Sequence, residues 1–182
     1  PVEFVIEKSA NLLNESILAI SSLIKANPEN ITFVENATTG VNSVLHYLIF
    51  QKKFSGEIIY TNQTYPAVVN TLKYYEQYSD ITLNCINIPF PADENLIIEI
   101  FEGSITSKTG IVLIDTISSS TSTVFPFNEL SELFNSKGII TIVDGAHGIG
   151  CLELDLSNPC YDFMTSNNHK WLFSPKGSAF LY

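Results

Sequence analysis

The run Gly138–Val143, Gly-Ile-Ile-Thr-Ile-Val, is continuous in apolar and β-branched residues and closes on Asp144. A strand with one wet face alternates. This one does not, so both its faces must be covered, as in a parallel sheet with helices above and below. The surrounding chain supplies such helices. Over residues 4–25, Ile6, Ala10, Leu13, Ile17, Ile20 and Ile24 recur at steps of four and three, the spacing of an amphipathic helix, and Pro28 ends it. A strand at 31–34, a polar turn at 35–40 and a helix through Val44, Leu45, Leu48 and Ile49 come next. Strands at 57–61, 81–88 and 110–115 then alternate with helices at 66–78, 92–102 and 127–136, and Tyr161–Ser166 reads as a further strand. This alternation predicts an α/β fold, a three-layer, doubly wound and mostly parallel sheet. At 182 residues, 45% of them hydrophobic, the chain is about one domain long.

Charge and composition narrow the function. The net charge of -10 repels phosphate backbones and anionic membranes, so neither nucleic acid nor membrane is an expected partner. No apolar run is long enough to span a bilayer, and Pro1-Val2-Glu3-Phe4 lacks the regions of a signal peptide, so a soluble, cytoplasmic protein is expected. All nine basic residues are lysines. Bidentate carboxylate recognition is mainly an arginine task, so a carboxylate clamp must lie outside this chain or use weaker groups. Cys85, Cys151 and Cys160 are odd in number and lack the CxxC spacing, which argues against disulfides and zinc and predicts small core residues. The glycines of Gly145-Ala146-His147-Gly148-Ile149-Gly150 follow a carboxylate instead of opening a helix after a first strand, so they do not form a dinucleotide fingerprint. The chain begins without Met and stops in strand-like Ala179-Phe180-Leu181-Tyr182, the pattern expected of a fragment.

In open α/β sheets ligands bind beyond the carboxyl ends of the strands. Ala37-Thr38-Thr39-Gly40 brings backbone N–H groups and two hydroxyls to a helix N-terminus, where an anion such as phosphate is favoured; the alternative is that Thr38 or Thr39 merely caps the helix. Asp144, at the end of a buried strand, needs a cation or several donors, and His147 follows three residues later. Lys170 lies between Asn167-Asn168-His169 and Trp171-Leu172-Phe173, where loss of solvation favours a neutral, nucleophilic amine; the alternative is a surface lysine packed on Trp171. Tyr65 offers a ring able to stack on a planar ligand. A phosphate cradle, a buried anion, a nucleophilic lysine and an aromatic plate are together satisfied by pyridoxal phosphate.

The segments Val143–Gly150, Asn167–Tyr182, Glu35–Asn42 and Thr64–Thr71 resemble the class V aminotransferases of the fold type I pyridoxal-phosphate enzymes, and most of all the isopenicillin N epimerase-like branch with its cysteine-conjugate C–S lyases. The resemblance covers essentially the whole chain. It implies that residues 1–182 are the large, cofactor-binding domain, incomplete at both ends, with a small C-terminal domain and its carboxylate-binding arginine missing. It further implies that Lys170 holds the cofactor as a Schiff base and, once amino-acid substrate displaces it as an external aldimine, shuttles the α-proton. Asp144 would keep the pyridine nitrogen protonated, His147 would contact the region of the 3-oxygen, and Tyr65 would stack on the ring. Thr38, Thr39, Asn167 and His169 would bind the phosphate, with Ser119 and Thr121 at the ring edge. Members of the family are usually homodimers.

The resemblance leads to an enzyme acting on an amino acid, as an epimerase when the proton returns to the other face or as a C–S lyase when a group leaves the β-carbon. The alternatives are a cysteine desulfurase or selenocysteine lyase, against which His147 and Tyr65 count, and a truncated, non-catalytic relative that keeps the cofactor fold. A metal site built from Asp144, His147 and His169 would leave Lys170 and the phosphate cradle without a role, so no metal is expected.

Overall fold

The computed structural model describes residues 2–182. Helices α1 (Ser9–Ile24), α2 (Ala37–His46), α3 (Pro66–Tyr78), α4 (Glu94–Ser104), α5 (Phe127–Ser136) and α6 (Asn168–Trp171) alternate with strands β1 (Thr32–Val34), β2 (Gly56–Thr61), β3 (Ile81–Ile86), β4 (Thr109–Asp115), β5 (Ile140–Asp144), β6 (Phe163–Ser166) and β7 (Ala179–Leu181). The strands form one sheet in the order β1-β7-β6-β5-β4-β2-β3. β7 pairs antiparallel with both its neighbours and every other pairing is parallel. No helix among the described residues is long and apolar enough to cross a membrane.

The central strands are apolar on both faces, as the run before Asp144 predicts. Ile58, Tyr60, Ile111, Leu113 and Ile142 pack with Val41, Val44 and Leu45 of α2 and Val68, Leu72 and Tyr75 of α3. The alternate residues Ile59, Val112, Ile114 and Val143 pack with Phe101 of α4, Leu130 and Phe134 of α5 and Ile24 of α1. Two helical layers thus enclose the sheet, and each buried Ile or Leu contributes about 1.5–3 kcal/mol. α2 lies close on β6 because its fourth residue is glycine: a Cβ on Gly40 would stand 2.4 Å from Thr165 Oγ1 and 2.9 Å from Thr165 Cβ.

Two expectations are corrected. The first helix forms, entered through one wide π-helical turn at Phe4–Lys8, but its apolar stripe is buried only near its C-terminus. Phe4, Val5, Ile6 and Leu13 are exposed, Ile17 and Ile20 are partly covered, and Ile24 is buried. Beyond the apolar contacts of Ile17, Ile20 and Ile24, the end of the helix is tied to the body where the Leu156 N–H donates to the Ile24 carbonyl at 2.8 Å and Lys25 pairs with Asp155 at 2.9 Å. Periodicity dictated the helix, but it says nothing about how far the body extends to meet it. The cysteines are also not core residues: Cys85 and Cys151 are exposed and Cys160 is half-buried, all as free thiols. Cys85 lies in β3, at the end of the sheet order, where one neighbour covers it instead of two.

The register of β4 with β5 sets Asp115 beside Asp144 at the carboxyl ends of both strands. Both are buried, and Asp115 Oδ2 has no hydrogen-bond partner. Burial first, and the neighbouring Asp144 charge second, push the Asp115 carboxyl well above the ordinary carboxylate range, against the opposing pull of Thr64 and Lys170. A carboxyl raised in this way binds a proton in the folded state at pH values where the unfolded chain has released it. Its contribution to stability is therefore lost as pH rises from the unfolded value through the folded one.

Two outcomes are expected. Asp115→Asn melts higher than the parent at neutral pH, by about 2–4 °C for each kcal/mol gained, and the difference shrinks toward zero as melts are repeated down to pH 4. Gly40→Ala lowers the urea midpoint by an amount corresponding to roughly 1–3 kcal/mol, because α2 must move off Thr165.

Candidate functional site

A cavity of about 450 Å³ opens at the carboxyl ends of β5 and β6, below the N-terminus of α2. Thr38, Thr39, Tyr65, Asp144, Asn167, His169 and Lys170 all line it, so seven of the eight residues given principal roles from the sequence, Ser119 and Thr121 at the ring edge aside, converge. The eighth, His147, touches the cluster through Lys170, its Nε2 lying 2.9 Å from Lys170 Nζ. A wider groove of about 590 Å³ between α2 and α3 meets the cavity at Thr38 and Thr39. It is lined by Phe50, Tyr74 and Tyr75 and holds neither Lys170 nor Asp144, so it lacks the groups for chemistry.

The helix end facing the cavity is capped by Asn36, not by a threonine: Asn36 Oδ1 accepts from the Thr39 N–H at 2.8 Å. The Ala37 N–H donates to Asn167 Oδ1 at 2.8 Å, and the Gly40 N–H to the Asn36 carbonyl at 3.1 Å. Of the first four amides this leaves the one on Thr38 free to meet an anion, together with the two threonine hydroxyls. Asn167 has its carbonyl oxygen committed to α2, so only its amide NH2 group remains to face the cavity. Its first role is to fasten α2 to the end of β6.

Asp144 forms the floor. Burial raises its carboxyl, opposed by the Ala146 N–H, which donates to Oδ1 at 3.0 Å, and by the charge of Lys170. Burial likewise lowers the Lys170 ammonium below the ordinary lysine range, while Asp144 and Asp115 pull the other way. The His147 imidazole is lowered by burial and by Lys170. On its far side the Trp171 indole N–H donates to His147 Nδ1 at 3.1 Å. His169 Nδ1 lies 2.8 Å from the Ser178 carbonyl; an acceptor-only oxygen places the proton on Nδ1, leaving Nε2 as the atom available to a ligand. His169 therefore donates to an anion through Nε2 only as imidazolium.

Ser119 and Thr121 do not line the Lys170 cavity. Thr121 donates to Gln63 Oε1, and Ser119 belongs to a smaller cavity of about 310 Å³ beyond His147. Sequence reasoning missed four residues with roles here: Asn36 as cap, Asp115 as the second buried carboxyl, buried Gln63 as the anchor of the Ser/Thr loop, and Trp171 as the partner of His147. Asp115 carried a signal of the same kind as Asp144, a carboxylate closing an apolar run. Among the described residues no group of three or more His, Cys, Asp or Glu side chains has the arrangement to hold a metal ion.

The family model for aminotransferase class V matches residues 6–182. The hercynylcysteine sulfoxide lyase of Schizosaccharomyces pombe is 32% identical over 164 residues, covering 90% of this chain and 41% of the relative. The isopenicillin N epimerase of Streptomyces clavuligerus is 30% identical over 184 residues, covering 100% of this chain and 46% of that one. Among solved structures, the cystine C–S lyase C-DES in complex with its product cysteine persulfide superposes with a TM-score of 0.82 at 22% identity, over 97% of this chain and 48% of that chain. A NifS-like protein superposes with a TM-score of 0.82 at 21% identity, over 100% and 53% respectively. The chain thus spans about half the length of the relatives it matches, and at those identities the structural likeness establishes the fold. Taken with the match along nearly its whole length, this places the chain in the class V aminotransferase family.

Proposed function

We propose that this chain is the cofactor-binding part of a pyridoxal-phosphate enzyme that removes the α-proton of an amino acid and releases a sulfur-bearing group from its β-carbon. The observation that carries the reading is the meeting, in one cavity, of an amine depressed by burial, a buried carboxylate at a strand end and a helix N-terminus with a free amide. The residues fit the cofactor in each part. Thr38 offers its amide and hydroxyl, with the Thr39 hydroxyl, to the phosphate; the Asn167 amide is a further donor, and the Nε2 of His169 becomes one as imidazolium. Asp144 stands where a buried anion holds a proton on a ring nitrogen. Tyr65, half-exposed at the start of α3, supplies the stacking face.

Bound there, pyridoxal phosphate supplies an aldehyde for an amine and an electron sink for the charge left when the α-proton departs. The protein does the rest. Lys170 presents a neutral amine that binds, is released and then accepts the proton, for which a basicity below that of free lysine suits work near neutral pH. His147 holds the amine at 2.9 Å and Asp144 presents its carboxyl at the floor. The chain has nine lysines and no arginine, so a bidentate guanidinium for the substrate carboxylate has to come from outside these residues. We read the whole protein as a cytoplasmic homodimer in which a second subunit or further chain supplies that group.

Sulfur elimination is favoured because the relatives this chain resembles include the sulfoxide lyase and a probable L-cysteine desulfhydrase of Arabidopsis thaliana at 31% identity. Epimerisation is the second reading, favoured by the epimerase relative and by the same proton-moving lysine.

Borohydride treatment after addition of pyridoxal phosphate is expected to fix a pyridoxyl group on Lys170, found by peptide mapping and absent in Lys170→Ala. Because the amine is depressed, fixation should proceed at pH values where the surface lysines remain charged; labelling spread over those lysines overturns the reading. With the full-length protein and a cysteine S-conjugate, keto-acid release should fall about 10²-fold or more in Asp144→Asn and vanish in Lys170→Ala. Formation of the D-amino acid without keto acid would instead establish the epimerase.

A further inference from the structure

His147 lies between two partners that together determine where its protons are. The indole of Trp171 has a single N–H and no acceptor, so its 3.1 Å contact makes His147 Nδ1 an acceptor without a proton. A neutral imidazole then carries its proton on Nε2. That N–H points at Lys170 Nζ, 2.9 Å away, and an ammonium has no lone pair to receive it. Both contacts are satisfied in one protonation pattern only: indole donating to Nδ1, Nε2–H donating to a neutral lysine amine. The Nδ1–H tautomer and the imidazolium would each set two donors face to face at the indole.

The arrangement is built into the backbone. Gly150, at φ +85°, lies so close to Trp171 that a Cβ would stand 2.8 Å from its carbonyl carbon and oxygen. Ser166 at the end of β6 donates to the Gly145 carbonyl and accepts from the Ile149 N–H at 3.2 Å, which fixes the loop bearing His147 against the strand. The glycines that failed to match a dinucleotide fingerprint thus hold the loop of His147 against the helix of Trp171.

We propose that Trp171 is a positioning residue: it locks His147 in the Nε2–H tautomer and so presents the Lys170 amine uncharged to the cavity. The consequence for chemistry rests on the reading of Lys170 as the reactive amine; the tautomer assignment does not. Burial of Lys170 and His147 acts in the same direction. The charged or titratable groups around Lys170 are Asp144 from β5, Asp115 from β4, His147 from the following loop, Tyr65 at the start of α3 and His169 on its own helix. The two carboxyls oppose the lock, which is why it matters.

The test is long-range proton–nitrogen NMR of the ¹⁵N-histidine-labelled protein without cofactor, the three histidines being assigned through His46→Gln and His147→Gln. The expected spectrum shows His147 protonated on Nε2 and His169 protonated on Nδ1, opposite tautomers side by side. Trp171→Phe keeps a ring and removes the donor. It should weaken the Nε2–H preference about three- to tenfold, the equivalent of one hydrogen bond, and displace the pH profile of pyridoxyl fixation on Lys170 upward. A wild-type His147 protonated on Nδ1, or a Trp171→Phe protein unchanged in both tautomer and profile, overturns the proposal, and the first of these needs no variant to fold. If the Nε2–H tautomer is found but Lys170 takes no pyridoxyl group, the lock stands and the cofactor reading fails. If Lys170 is labelled while His147 is protonated on Nδ1, the reverse holds.

Discussion

Taking Asp144 out of water is the constraint from which the rest of the site follows. A carboxylate at the end of a central strand, covered above and below, is stable only if donors or cations are brought to it. The Ala146 N–H is one such donor, provided by the turn that also carries His147, and Lys170 is the basic group within reach. That lysine is itself half-desolvated, and His147 and Trp171 restrict the forms it can take. Each residue removes a difficulty created by its neighbour, so the cluster behaves as one unit and not as a set of separate contributors.

Much of this was legible in the sequence because both levels use local signals. An apolar run ending in a polar residue marks a buried strand and its carboxyl end together, so finding Ile139–Val143 also found Asp144. The same logic located Thr38, Tyr65 and Lys170, and the rule that parallel strands end on one edge brought them together without any knowledge of distances. The boundaries of α5 were read without error, since its apolar positions are all covered by one layer.

What escaped depended on contacts between distant parts of the chain. Asn36 and not Thr38 caps α2, because Asn167, 130 residues away, takes the Ala37 amide and leaves the side chain of Asn36 to serve Thr39. The pairing of Asp115 with Asp144 is a matter of register between strands, invisible to a scan along one of them. The open stripe on α1 fails for the opposite reason: its periodicity is a property of the helix, whereas its burial is a property of what stands opposite. For the cysteines, a statistical habit of burial gave way to their positions in a one-sided strand and in loops.

The single reversed strand has a consequence for the order in which the molecule assembles. β7 is wedged between β6 and β1, so Thr32, near the start of the chain, has no sheet partner until Leu181, near its end, is available. The strands from β2 to β5 can pair as they emerge, since their connections are short and their partners close in sequence. β1 cannot, and closing so long a loop is paid for in chain entropy before any contact rewards it. The α2 terminus hangs from β1 and is tied to Asn167 just after β6, so the anion-facing end of the cavity is among the last parts to form. A nascent chain would hold Asp144 at its strand end before it had anything with which to grip a ligand.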